Sequence, residues 1–166
     1  MKNSARGGFE YVVETVRNGQ VVGIETVHNL LPTEGVNYLI DAALKAGTAY
    51  PKWYMGLFEG AYTPVPEDTM STFPGAAAEL LTYSQIQRPG IVFGGTARGG
   101  VDNSGSKAEF TGSVDGKLVR GGFICSAPAK GATTGVLLSA VRFYSPKTLD
   151  AGTILRVTGG FSITST

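Results

Sequence analysis

The most restrictive feature of the chain is the dipeptide Asn18-Gly19, set between two runs of β-branched and aromatic residues. A type I′ turn needs positive φ at both central positions, and these two residue types supply it while matching the twist of antiparallel strands. Before the turn, Phe9, Tyr11, Val13 and Thr15 alternate with Glu10, Val12, Glu14 and Val16; after it, Gln20 to Thr26 resumes a β-branched run. Residues 9–28 therefore read as a hairpin, with Glu10 and Glu14 on a wet face opposite Phe9 and Tyr11.

Beyond this hairpin the pattern changes once and then returns to strand. Thr33 is placed as an N-cap with Glu34 in the first turn, and Val36, Leu39, Ile40, Ala43 and Leu44 follow helical spacing up to Gly47. This predicts one short amphipathic helix at about 34–46, burying that stripe on a sheet. Lys52 to Glu59 is apolar on both faces and reads as a central strand. Residues 60–76, with Pro64, Pro66 and Pro74, read as an ordered surface loop. Ala76–Leu81 suits a helical turn and Leu81–Gln87 alternates weakly, two readings the pattern does not separate. Further strands are expected at Ile91–Phe93, Lys107–Ser113, Leu118–Ser126, Gly135–Tyr144 and Thr153–Thr164, with Asp115-Gly116 as a second hairpin turn.

The 24 glycines among 166 residues agree with this, since glycine disfavours helix interiors and suits the turns of a strand-built chain. The predicted fold is mainly β: a β-sandwich or jelly-roll-like single domain over 9–166, one short helix inserted after the first hairpin, and a flexible N-terminal arm over 1–8.

Composition leaves little room for chemistry. One histidine, His28, and one cysteine, Cys125, exclude a disulfide scaffold, a cysteine zinc site and c-type haem attachment. His28 has no partner at a ligand or triad spacing and reads as a structural residue at a strand end. Cys125 reads as a small core residue. Gly112 to Lys117 has three residues between its glycines where a phosphate loop has four, and Leu118 where that loop has a hydroxyl. Gly94 to Gly100 lacks the dinucleotide spacing. Glu59, Glu67 and Asp68 are the only carboxylates offered to a glycan hydrolase, and neighbouring acids do not form its facing pair. Trp53 and Tyr54 suit a sugar platform but stand in a doubly apolar strand, so core packing is expected. No catalytic residue, cofactor or metal ligand is assigned, and an enzyme is not expected.

Net charge is +1, which gives no electrostatic case for nucleic acid. Residues 1–83 carry five Lys/Arg against nine Asp/Glu, and residues 84–166 nine against four, giving −4 and +5. Such a split suits contact between copies or arises as scatter over one folded surface. No run reaches the length of a membrane helix and no signal peptide is apparent, so synthesis in a host cytoplasm is expected. Candidate interface residues are Lys2 and Arg6 on the arm, Tyr62, Glu67 and Asp68 on the Pro-rich loop, and Arg88, Arg98 and Arg120 as rim charges.

Leu31-Pro32-Thr33-Glu34-Gly35-Val36-Asn37-Tyr38-Leu39, Trp53-Tyr54-Met55-Gly56-Leu57-Phe58, Tyr62-Thr63-Pro64 and Thr133-Thr134-Gly135-Val136-Leu137-Leu138-Ser139-Ala140 resemble, in order and spacing, segments of small tailed-phage virion proteins. The resemblance spans roughly residues 20–165, and the turn Asp150-Ala151-Gly152-Thr153 looks like the closing hairpin of phage sandwich modules. It implies a capsid decoration or cement protein on the capsid exterior, binding the major capsid protein as a homo-oligomer, dimer or trimer, with no nucleic acid and no membrane partner. A tail- or fibre-associated receptor-binding module, presenting Tyr62 to Asp68, is the alternative it implies.

Overall fold

A computed structural model describes residues 5–165 and shows a single β-sandwich of two antiparallel sheets. Strands β1 (Ala5–Arg17) and β2 (Gln20–His28) form the predicted hairpin, with φ of 50° at Asn18 and 75° at Gly19. Strand β9 (Ile154–Ser165) pairs with β1 along its length, and β5 (Gly100–Asp102) and β6 (Ala108–Thr111) share its other flank. The second sheet has the order β4 (Gly90–Ile91), β3 (Trp53–Phe58), β7 (Lys117–Cys125), β8 (Leu137–Leu149). Strand β3 is thus interior, as its doubly apolar sequence requires.

Phe9, Tyr11 and Val13 turn inward from β1 and meet Met55, Leu57 and Ile124 of the facing sheet. The sheets approach closely where β9 has glycine: a Cβ on Gly159 would lie 3.1 Å from Ile124 and 3.3 Å from Met55. A polar node also joins them, because Tyr11 Oη and Asn29 Nδ2 both donate to Ser139 Oγ, at 2.8 and 2.6 Å. Buried hydroxyls and amides need such partners, so this node fixes the relative position of the two layers.

The loop after β3 is ordered, as expected, but it is more than a surface connector. Met70, Phe73 and Ala77 are fully buried against Phe58, Phe123 and Leu137 on the outer face of the second sheet. Its short helix α2 (Phe73–Ala76) delivers Phe73, so β3 and β7 are covered on both faces.

Helix α1 (Thr33–Leu44) forms where expected, yet it buries a different face. Gly35 is its buried residue, and a Cβ there would stand 2.4 Å from the Leu138 carbonyl oxygen. The helix backbone therefore lies directly on β8, with Tyr38 and Leu39 packing beside it, while Ile40 and Leu44 face outward, Leu44 at 80% exposure. The cap also differs. Pro32 occupies the N-cap without a side-chain bond, and Glu34 does not serve the helix end; its Oε2 accepts from Leu137 N at 2.6 Å and Met70 N at 2.8 Å.

Two turns predicted as hairpins join strands of different sheets instead. Asp115-Gly116 carries the chain from β6 in the first sheet to β7 in the second, and Asp150–Thr153 carries it from β8 back to β9. The turns clasp each other: Asp150 Oδ1 accepts from Gly116 N at 2.9 Å and Asp115 Oδ1 from Ala151 N at 3.0 Å. Of the segment expected as a flexible arm, residues 5–8 are strand paired to β9, and Lys2 lies outside the described residues.

Candidate interaction surface

The opposite charges of the two chain halves meet inside one molecule. Glu14 pairs with Lys107, Glu25 with Lys147, Glu59 with Lys117 and Glu79 with Arg88, each acid from the first half and each base from the second. The hairpin β1–β2 lies in the same sandwich as β6, β7 and β8, which brings the halves together. Of the two readings of the charge split, contact between copies is not what these four pairs serve.

Arg88, expected at a rim, is fully buried. Its Nε and Nη2 donate to the two oxygens of Glu79 at 2.8 and 2.6 Å, and Nη1 donates to the Ala127 carbonyl at 2.9 Å. Its Nη2 reaches the Ala132 carbonyl at 3.2 Å, and the guanidinium stacks on Phe123 with 5.2 Å to the ring centroid. A buried guanidinium needs a bidentate carboxylate and spare acceptors, and this pocket supplies both. Arg88 is therefore an internal clamp that ties the 127–132 loop to Glu79, whose Oε2 also accepts from Gly131 N at 2.9 Å.

The Pro-rich loop is turned in on itself. Asp68 is buried, and its carboxylate accepts from Tyr62 Oη at 2.6 Å and Val65 N at 2.7 Å. The hydrogen bond to Asp68, with burial and the nearby negative charge, pushes the Tyr62 hydroxyl up to about 12. Asp68 thus serves the turn and Tyr62 is half-buried, leaving Glu67 as the exposed member of that trio. Arg120 is half-buried in the second sheet, donating from Nε to the Glu59 carbonyl at 3.1 Å.

Arg6 and Arg98 are different. Arg6 is exposed on β1 opposite Thr164, and exposed Arg98 stands in a turn at φ 50°, next to Gly99, whose carbonyl accepts from Ile163 N at 2.9 Å. The two arginines flank the end of β9 from either side, and among the described residues neither has an ion-pair partner. The same end of the sheet carries an open groove of about 470 Å³, with Gly8, Gly100 and Gly160 in its lining and Glu10, His28 and Asp102 at its sides. His28 Nδ1 lies 3.7 Å from Glu10 Oε2, with both side chains largely exposed. Such a pair contributes little. Among the described residues no group of three or more His, Cys, Asp or Glu could hold a metal ion.

The sequence reading missed the free edge of β2. Val22 is 57% and Ile24 67% exposed there, and Gln20–His28 contains no lysine, arginine or proline. The signal was present as a β-branched strand without the residues that ordinarily blunt an edge. No family model matches the chain, and neither the curated proteins nor the solved structures searched give a match.

Proposed function

We propose that this protein is a capsid decoration protein of a tailed phage, which attaches to the major capsid protein on the shell exterior and stabilises it by bridging neighbouring subunits. The carrying observation is the pairing of Arg6 and Arg98 across the end of β9, two cations left over when acids of the first half have been neutralised by bases of the second. Cations held on a rigid sheet end suit an acidic patch repeated over a lattice, where many weak contacts sum to firm attachment. The sequence resemblance to phage virion proteins supports the same assignment. The tail-module alternative relied on Tyr62 to Asp68, and the inward turn of Asp68 weakens that loop as a recognition surface.

Binding to the assembled shell and not to its disrupted form stabilises the shell by mass action. Decorated particles should therefore release their genome at a higher temperature than stripped ones, and Arg6→Glu with Arg98→Glu should abolish both attachment and the thermal gain. Equal thermal stability of stripped and decorated particles would remove the cement role. A copy number of a few dozen per virion would favour the tail.

A further inference from the structure

The sandwich has several sheet edges, and they are treated unequally. Strands β4, β5 and β6 have two, three and four residues, too short to template a partner. The outer side of β8 is occupied: Leu30 and Ala140 exchange backbone hydrogen bonds at 3.2 and 3.4 Å, and Tyr144 N donates to Glu25 at 2.7 Å. Strand β2 has nine residues and no such cover among the described residues.

Its hydrogen-bonding phase follows from one contact. Asn29 N donates to the Phe9 carbonyl at 3.0 Å, so alternation along the β1–β2 register directs Val27, Glu25 and Gly23 toward β1. Ile24, Thr26 and His28 then point their N–H and C=O groups away from the molecule. These groups form a ready ladder beside the exposed Ile24 side chain.

We infer that β2 pairs with β2 of a second copy, antiparallel about a two-fold axis through Ile24, so that the two hairpin sheets become one continuous sheet. Three features select this occupant and register. Gln20–His28 is symmetric about Ile24, so the whole strand overlaps its copy. The outward groups of Ile24 face each other, which the alternation demands of a hydrogen-bonded pair. Glu25, the strand's carboxylate, falls opposite Gly23 of the second copy, whereas a parallel pairing or a two-fold axis on Glu25 would set two carboxylates face to face. This deepens the homo-oligomer part of the reading above and does not depend on the shell.

Sedimentation equilibrium at roughly 100 μM protein tests it, a concentration at which a micromolar dimer is nearly complete. The wild type should be a dimer, and Ile24→Lys should weaken it at least about 30-fold, since an edge lysine opposes strand addition. Ile24→Cys should be joined by a short bis-maleimide, with buried Cys125 not competing. Ile24 is largely exposed, so both variants should keep the wild-type circular dichroism; Thr26→Lys at the next outward position serves if Ile24→Lys does not fold. A monomeric wild type overturns the inference, as does a dimer that survives Ile24→Lys and is not cross-linked through Ile24→Cys. A monomer that still decorates shells would sink the edge pairing alone, and a dimer that ignores shells would sink the decoration reading alone.

Discussion

Phe58 and Phe123 stand on adjacent strands, each ring lying over a glycine of the other's strand: Phe123 pairs with Gly56 and Phe58 with Gly121. A Cβ on Gly56 would fall 2.3 Å from the Phe123 ring, and one on Gly121 would fall 2.2 Å from the Phe58 ring. Phe73 closes the set from above, its centroid 5.6 Å from Phe58 and 5.3 Å from Phe123 in edge-to-face contacts. These glycines are slots for aromatic rings.

Gly121→Ala should destabilise the protein by about 1–3 kcal/mol, the usual range for overpacking a core. The new Cβ would meet the Val141 carbonyl oxygen at 2.2 Å as well as the ring, and backbone cannot swing aside. Gly56→Ala meets only the Phe123 ring among its nearest atoms and should cost less. Urea unfolding of the two variants checks the order.

Arg88→Met should cost about 3–5 kcal/mol, because it strands the buried Glu79 carboxylate without its partner. Adding Glu79→Leu to Arg88→Met should recover part of that loss, since the unpaired charge disappears. A double-mutant cycle by chemical denaturation reads the difference; independent, additive losses would show that the pair is not coupled.

Glu25 makes stability depend on acid. Burial pushes its carboxyl up, but hydrogen bonds from Lys147, the Tyr144 amide and Ser145 outweigh that and hold it below the ordinary 4.5. A carboxyl lowered on folding stabilises the fold fully above its unfolded pKa and loses that contribution as pH falls through the folded one. The advantage of wild type over Glu25→Gln should therefore be constant near neutrality and shrink below about pH 4.5, as followed by urea midpoints across pH.

Cys125 should be inert in the native protein. Burial pushes its thiol up to about 11, although the Arg88 guanidinium beside it pulls the other way. Iodoacetamide at about pH 8 should leave it unmodified until urea unfolds the chain, because the thiolate is the nucleophile. Mass spectrometry of labelled samples distinguishes the cases.

Legibility in the sequence followed the range of the interactions concerned. Asn18-Gly19 specifies its turn through its own backbone preferences, and the strand periodicities around it, around Met55 and around Val157 are local patterns, so hairpin, central strand and closing strand could be read directly. Asp115-Gly116 specifies a chain reversal equally well, but turn chemistry says nothing about which sheet receives the next strand; that depends on where Val119 and Phe110 find space. Arg88 looked like any surface arginine because its burial depends on Glu79 and on carbonyls some forty residues away. Gly35 redirected the helix for a similar reason: periodicity weighs side chains, and here the contact is made where a side chain is missing.

The register between β1 and β9 sets Ala5 beside Ser165, so the two ends of the described chain leave the sandwich together on neighbouring antiparallel strands. Tension applied between those ends would load the ladder one rung at a time, peeling β9 from β1 like a zipper, with no need to shear all the bonds at once. A partner gripping only the termini would hold a mechanically soft handle. A firm mechanical joint has to be made on the faces and edges of the sheets.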